Sequence, residues 1–93
     1  MVIGAARVEL HVHGSQSLKQ KRGVVRAISQ RVRNRFNVAV AEVGGQGTWQ
    51  RVVLGICTVS GDGQSARRRL EKAIDFIEDL HLAEVIDQEV EIL

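Results

Sequence analysis

The chain has 93 residues, 44% of them hydrophobic and 26% charged, a length for one domain around one two-layer core and a composition too apolar for a disordered chain. A single cysteine, Cys57, excludes an intramolecular disulfide and points to a cytoplasmic setting. The apolar start, Met1 to Ala6, has neither a charged leader nor the length of a membrane span, so no signal peptide and no membrane association are expected. The net charge of +2 conceals a division: residues 1–53 hold nine basic and two acidic residues (+7), whereas residues 54–93 hold four basic and nine acidic (−5). Such a chain is either dipolar or pairs its halves internally.

Residues 2–13 alternate, with Val2, Ala6, Val8, Leu10 and Val12 on one parity and Arg7, Glu9, His11 and His13 on the other, the pattern of a half-buried strand that Gly14 ends. Ser17 is placed to cap a helix, with Gln20 three residues on as its reciprocal partner. Leu18, Val25, Ile28 and Val32 then recur at helical spacing, predicting a helix over about residues 18–34. Phe36 to Val43 reads as a second strand, Gly44 to Gly47 as a hairpin loop and Trp49 to Val59 as a third strand. Gly61-Asp62-Gly63 turns the chain into a second helix over about residues 64–80, with a buried stripe of Ala66, Leu70, Ala73, Ile74 and Ile77. Residues 83–93, with Val85, Ile86, Val90 and Ile92, form the last strand. The order β-α-β-β-α-β predicts an α+β ferredoxin-like sandwich: a four-stranded antiparallel sheet with both helices on one face, in a single domain spanning 1–93.

Between Gly14 and Ala41 every charged side chain is a cation: Lys19, Lys21, Arg22, Arg26, Arg31, Arg33 and Arg35. At about 100° per residue Lys19, Arg22, Arg26 and Arg33 fall on one flank of the first helix, while Arg31 and Arg35 fall on the other. Lys21 lies near the buried direction in the first turn, where its stem could carry the charge past the sheet edge. No carboxylate stands three or four residues away to neutralise the row, and first-turn cations oppose the helix dipole. The row is therefore either a solvated face or a contact for an anionic partner such as the phosphates of RNA. The Arg67-Arg68-Arg69 run of the second helix has Glu71 and Asp75 at helical spacing, and reads as a self-paired solvated face.

With Val52, Leu54 and Ile56 turned toward the helices, the open sheet face shows Arg51, Val53, Gly55 and Cys57, joined by Ala39, Ala41 and Val43 and by Ile3, Ala5, Arg7 and Glu9. Cys57 belongs there as a small sheet residue rather than a nucleophile. Half of this face is small and apolar, which suits a homodimer. It has no aromatic platform, which excludes the base-stacking mode of RNA-recognition motifs.

His11 and His13 share one side of a strand, but two imidazoles are not a metal site. Ser15, Ser17 and Lys19 frame the start of the first helix, a candidate anion perch or simply a helix cap; the spacing of a P-loop is absent. Trp49 and Gln50 are candidate contact residues beside Arg51. No catalytic set, metal site or cofactor motif is present.

The run Ser17-Leu18-Lys19-Gln20-Lys21-Arg22, the run Arg35-Phe36-Asn37-Val38-Ala39-Val40-Ala41-Glu42-Val43 and Trp49-Gln50 together resemble the YlxP-like family of small bacterial proteins, a domain of unknown function. The resemblance spans nearly the whole chain. It implies a ferredoxin-like domain encoded beside transcription-elongation, translation-initiation and ribosome-maturation factors, and so an association with RNA or the ribosome. It brings no catalytic residues, and the glycine-rich loop Gly44–Gly47 departs from the family pattern. The expected function is a non-enzymatic RNA-binding or ribosome-associated factor, with Lys19, Arg22, Arg26 and Arg33 on backbone phosphates and Lys21, Arg35 and Arg51 at the margins. The alternatives are a homodimeric structural or small-molecule-sensing module joined through the open face, and an acylphosphatase-like hydrolase. The last lacks an arginine in the loop after the first strand, since Arg22 is already within the helix.

Overall fold

The computed structural model describes residues 1–93, and its elements come in the expected order: β1 (Val2–His11), α1 (Leu18–Arg35), β2 (Ala39–Gly44), β3 (Arg51–Ser60), α2 (Gly63–Leu80) and β4 (Glu84–Ile92). The strands form one antiparallel sheet in the order β2-β3-β1-β4, which leaves β2 and β4 as edges. Both helices cover the same face, α1 over the β2 side and α2 over β1, β3 and β4. This is the ferredoxin-like sandwich.

Alternation in the strands and 3.6-residue spacing in the helices converge on one core. Ala6, Val8, Leu10 and Val12 meet Val52, Leu54 and Ile56 from the sheet, and Ile28, Val32, Leu70, Ala73, Ile74 and Ile77 close over them. Burying each of the larger side chains contributes about 1.5–3 kcal/mol. Close approach of α2 depends on Gly4, where a Cβ would stand 3.0 Å from Leu70 Cδ1 and 3.3 Å from Ala66 Cβ.

The helix starts are chemically fixed. Ser17 Oγ accepts from the Gln20 amide at 3.1 Å, and Gln20 Oε1 accepts from the Gln16 amide at 2.8 Å, one residue earlier than in a reciprocal capping box. Asp62 caps α2 by accepting from the Ser65 amide at 2.8 Å and the Ser65 hydroxyl at 2.9 Å. These bonds hold its carboxyl below the usual range.

Two strand starts differ from the sequence reading. β2 begins at Ala39 rather than Phe36, because the Phe36 amide still donates to Val32 O at 2.9 Å and its ring packs edge to face on Phe76 at 5.6 Å. β3 begins at Arg51, so Trp49 and Gln50 belong to a loop over residues 45–50. Register also shifts at Val43, the extra residue between the Glu42–Leu54 and Gly44–Val53 pairs, and at Ile86, between the Asp87–Glu9 and Val85–Leu10 pairs.

Candidate nucleic-acid interface

Lys19, Arg22, Arg26, Arg31, Arg33 and Arg35 all stand exposed on α1, and none forms an ion pair. Arg31, Asn34 and Arg35 share a shallow cleft with Phe76 of α2, and the Arg35 guanidinium lies 5.3 Å over the Phe76 ring. That flank therefore faces α2. The row Lys19, Arg22, Arg26 and Arg33 takes the opposite flank, running about 21 Å from end to end at 1.5 Å per residue.

The arginine run of α2 is a correction. Neither Arg67 with Glu71 nor Arg68 with Asp75 closes an ion pair, and Arg67, Arg68 and Lys72 stand exposed. Arg69 turns to the sheet, donating to Thr58 Oγ1 at 2.6 Å and Val59 O at 3.0 Å. Phe36 and Ser65 line a second cleft with Arg68, Arg69 and Lys72, so the C-terminal end of α1 and the first half of α2 form one basic surface. Helical spacing placed acids within reach of these cations but could not show that water solvates both.

Lys21 leaves the phosphate-contacting set. It is 1% exposed, and its ammonium is spent inside the protein rather than carried past the sheet edge. Nζ donates to Gly45 O and, at 3.1 Å, to Arg51 O, and stands 3.4 Å from Glu42 Oε2. That carboxylate oxygen is itself buried without a hydrogen bond, so the lysine meets it as an ion pair alone. The ion pair joins the first turn of α1 to both ends of the β2–β3 loop. Two sequence signals mark it: Lys21 on the buried direction of its helix, and Glu42 on the helix-facing parity of its strand.

Arg51 is likewise committed. Its Nε and Nη2 donate to Glu9 Oε2 and Oε1 at 3.2 and 3.4 Å, while Arg7 lies 3.6 Å from Glu9 and 3.9 Å from Asp87. The hydrogen bond from Arg51, with the two cationic charges, holds the Glu9 carboxyl below its usual range despite partial desolvation. Arg51 opposes His11 in the β1–β3 register, so its bond to Glu9 is a diagonal pair on the open face. The two charge halves thus pair only locally, through Arg7–Asp87 at 3.9 Å, and His13 Nε2 stands at hydrogen-bond distance, 2.8 Å, from Glu84 Oε1.

The anion perch resolves into helix capping. Ser15 is 5% exposed and its hydroxyl donates to Ser17 O at 3.3 Å, while Ser17 Oγ holds the Gln20 amide. Lys19 alone remains available there. His11 and His13 meet edge to face with ring centroids 4.3 Å apart. Trp49 is 54% exposed, and Gln50 Nε2 donates to Ser15 O at 3.3 Å.

The open sheet face is chemically split. Ala5, Ala39, Ala41, Val43, Gly55 and Cys57 line an apolar groove, with Ile3 and Val59 exposed beside it. Val53 shares that parity but is 3% exposed; it pairs with Gly44 at the bulge, where a Cβ on Gly44 would stand 3.2 Å from Val53 Cβ. Asp87, Glu89 and Glu91, paired with Glu9, Arg7 and Ala5, set an acidic column along the β4 edge.

No helix is long and apolar enough to cross a membrane. Residues 3–90 match the family described as protein of unknown function, DUF503. An uncharacterised protein of Bacillus subtilis (strain 168), YlxP, is 40% identical over 77 residues, 83% of this chain and 84% of that protein. The de novo designed protein Foldit4 shares the fold, with a TM-score of 0.52 at 18% identity over 99% of this chain and 94% of the design.

Proposed function

We propose that this chain, which belongs to the DUF503 family of unknown function, is a non-enzymatic cytoplasmic factor that binds RNA, free or within the ribosome, through its phosphate backbone. One observation carries the reading: the exposed cations of α1 have no carboxylate partner, whereas Arg7, Lys21 and Arg51 are all paired. Ion pairing inside the protein would have removed the attraction that a polyanion needs. Lys19, Arg22, Arg26 and Arg33 contact consecutive phosphates, with Arg31 and Arg35 on the α2 flank. Contacts to phosphates are independent of sequence, and binding weakens with a log–log salt slope of about −0.7 to −0.9 per neutralised phosphate.

The test is co-sedimentation with RNA and with ribosomes, comparing the native chain with the quadruple variant K19E/R22E/R26E/R33E. The variant is expected to lose binding by more than about a hundredfold at low salt, with its thermal unfolding preserved because all four side chains lie on the surface. Equal sedimentation of both proteins overturns the reading.

A second reading rests on a separate surface. The apolar groove beside Ile3, Val43 and Val59 favours a homodimer packed through the open face. Sedimentation velocity across a hundredfold concentration range tests it, and a monomer throughout removes it.

A further inference from the structure

We infer that Trp49 is a stacking platform for an unpaired nucleobase of the RNA whose backbone follows α1; this deepens the phosphate-binding reading and rests on it. The loop over residues 45–50 is held in place at several points. Thr48 Oγ1 donates to Gly45 O at 3.0 Å and Arg51 O at 3.2 Å, and the Lys21 ammonium donates to the same two carbonyls. Gln46 Nε2 donates to Glu42 O at 3.4 Å, and the Val12 amide donates to Gln50 O at 2.7 Å. Gly45 fixes the turn with a φ of 79°.

Out of this fixed backbone the indole projects 54% exposed. It joins no aromatic pair and no hydrogen bond. A tryptophan presented to water on an anchored loop has little conformational freedom left to lose when a flat partner covers it. His11 and Gln50 line the same concavity as Trp49.

The identity of the partner follows from the neighbourhood. Lys21 and Ser15 bind this loop directly to the start of α1, so the loop that carries the indole is fastened to the end of the helix that bears the unpaired cations Lys19 and Arg22. An aromatic plane beside phosphate-contacting cations is the arrangement used for single-stranded nucleic acid, in which the backbone is neutralised and the base stacks. The sheet has no such plane on its open face and the Phe76 ring already has the Arg35 guanidinium over it, so the loop supplies the exposed one. A fully paired duplex keeps its bases stacked inside and presents nothing for the ring.

Trp49 is the only tryptophan in the chain, so its fluorescence reports the contact in the unmodified protein. A fluorescein-labelled hairpin with an unpaired loop and a blunt RNA duplex are titrated in parallel, following label anisotropy and indole emission. The hairpin is expected to quench the indole and the duplex to leave it unchanged. W49A should bind the hairpin about tenfold more weakly, bind the duplex as before and keep the same salt slope, whereas W49F should recover most of the loss. Hairpin binding by anisotropy without quenching, or a W49A loss equal on both RNAs, overturns this inference and leaves the phosphate reading intact. Absence of any anisotropy change with either RNA overturns both.

Discussion

The two faces of the sandwich treat charge in opposite ways. On the open sheet face Arg51 and Arg7 share Glu9 and Arg7 also reaches Asp87, while between α1 and the sheet the buried Lys21 is held by Glu42 and two carbonyls. On the helical face no exposed cation of α1 or α2 has a carboxylate partner. A cation on a strand meets side chains fixed by register a few ångströms away, so it finds a partner within the fold. A cation on an exposed helix flank meets water unless a second molecule arrives. The residue type is the same on both faces, and its partnership decides what it can do.

Lys19 and Lys21 break that comparison down to two residues in one turn. K21M leaves Glu42 buried without a cation and two carbonyls without a donor; unfolding in urea is expected to show a loss of about 3 kcal/mol, with the salt slope of RNA binding by the folded fraction unchanged. K19M should do the reverse, keeping stability within about 0.5 kcal/mol and lowering the salt slope by about one phosphate. If the two variants behave alike, the division between structural and available cations is wrong.

Gly45 sharpens the same boundary from the loop side. A Cβ there would stand 2.5 Å from Arg51 O at a φ of 79°, displacing the carbonyl that Lys21 and Thr48 share. G45A is expected to lose about 2 kcal/mol in the same urea titration and to shift the emission of Trp49. A variant as stable as the native chain would mean that the loop is not anchored by these carbonyls.

The smallest effect is acid sensitivity on the paired face. Glu9 has its pKa lowered from 4.5, so its contribution to stability is complete above that ordinary value and is lost as pH falls through the lowered native one. R51A removes the largest cause of the shift and should make the fall in melting temperature below about pH 4.5 shallower than in the native chain. An identical acid limb would show that Glu9 titrates independently of Arg51.

Much of this arrangement was legible in the sequence. Ala66, Leu70, Ala73, Ile74 and Ile77, read as a helical stripe, are the buried residues of α2, because periodicity and burial are the same fact seen twice. Ser17 as a cap followed from side-chain chemistry that acts within three residues. Apart from the extra helical turn at Phe36, the failures were non-local. Trp49 and Gln50 look like strand residues by propensity, yet the carbonyls gathered by Lys21 and Thr48 draw residues 45–50 into a loop. Lys21 sat in the buried direction, and only the register that brings Glu42 and Gly45 over it shows where its charge goes. Spacing alone likewise suggested Arg67–Glu71 pairing on α2 and could not weigh it against hydration.

The ends of the sheet carry their own consequence. β4 is lined by Glu84, Asp87, Glu89 and Glu91 and kinked at Ile86, while β2 has six residues and its own extra residue at Val43. Charge and irregularity deny a neighbouring chain the straight, neutral ladder it would need to add a strand. The protein can therefore be crowded at high local concentration without its sheets fusing edge to edge.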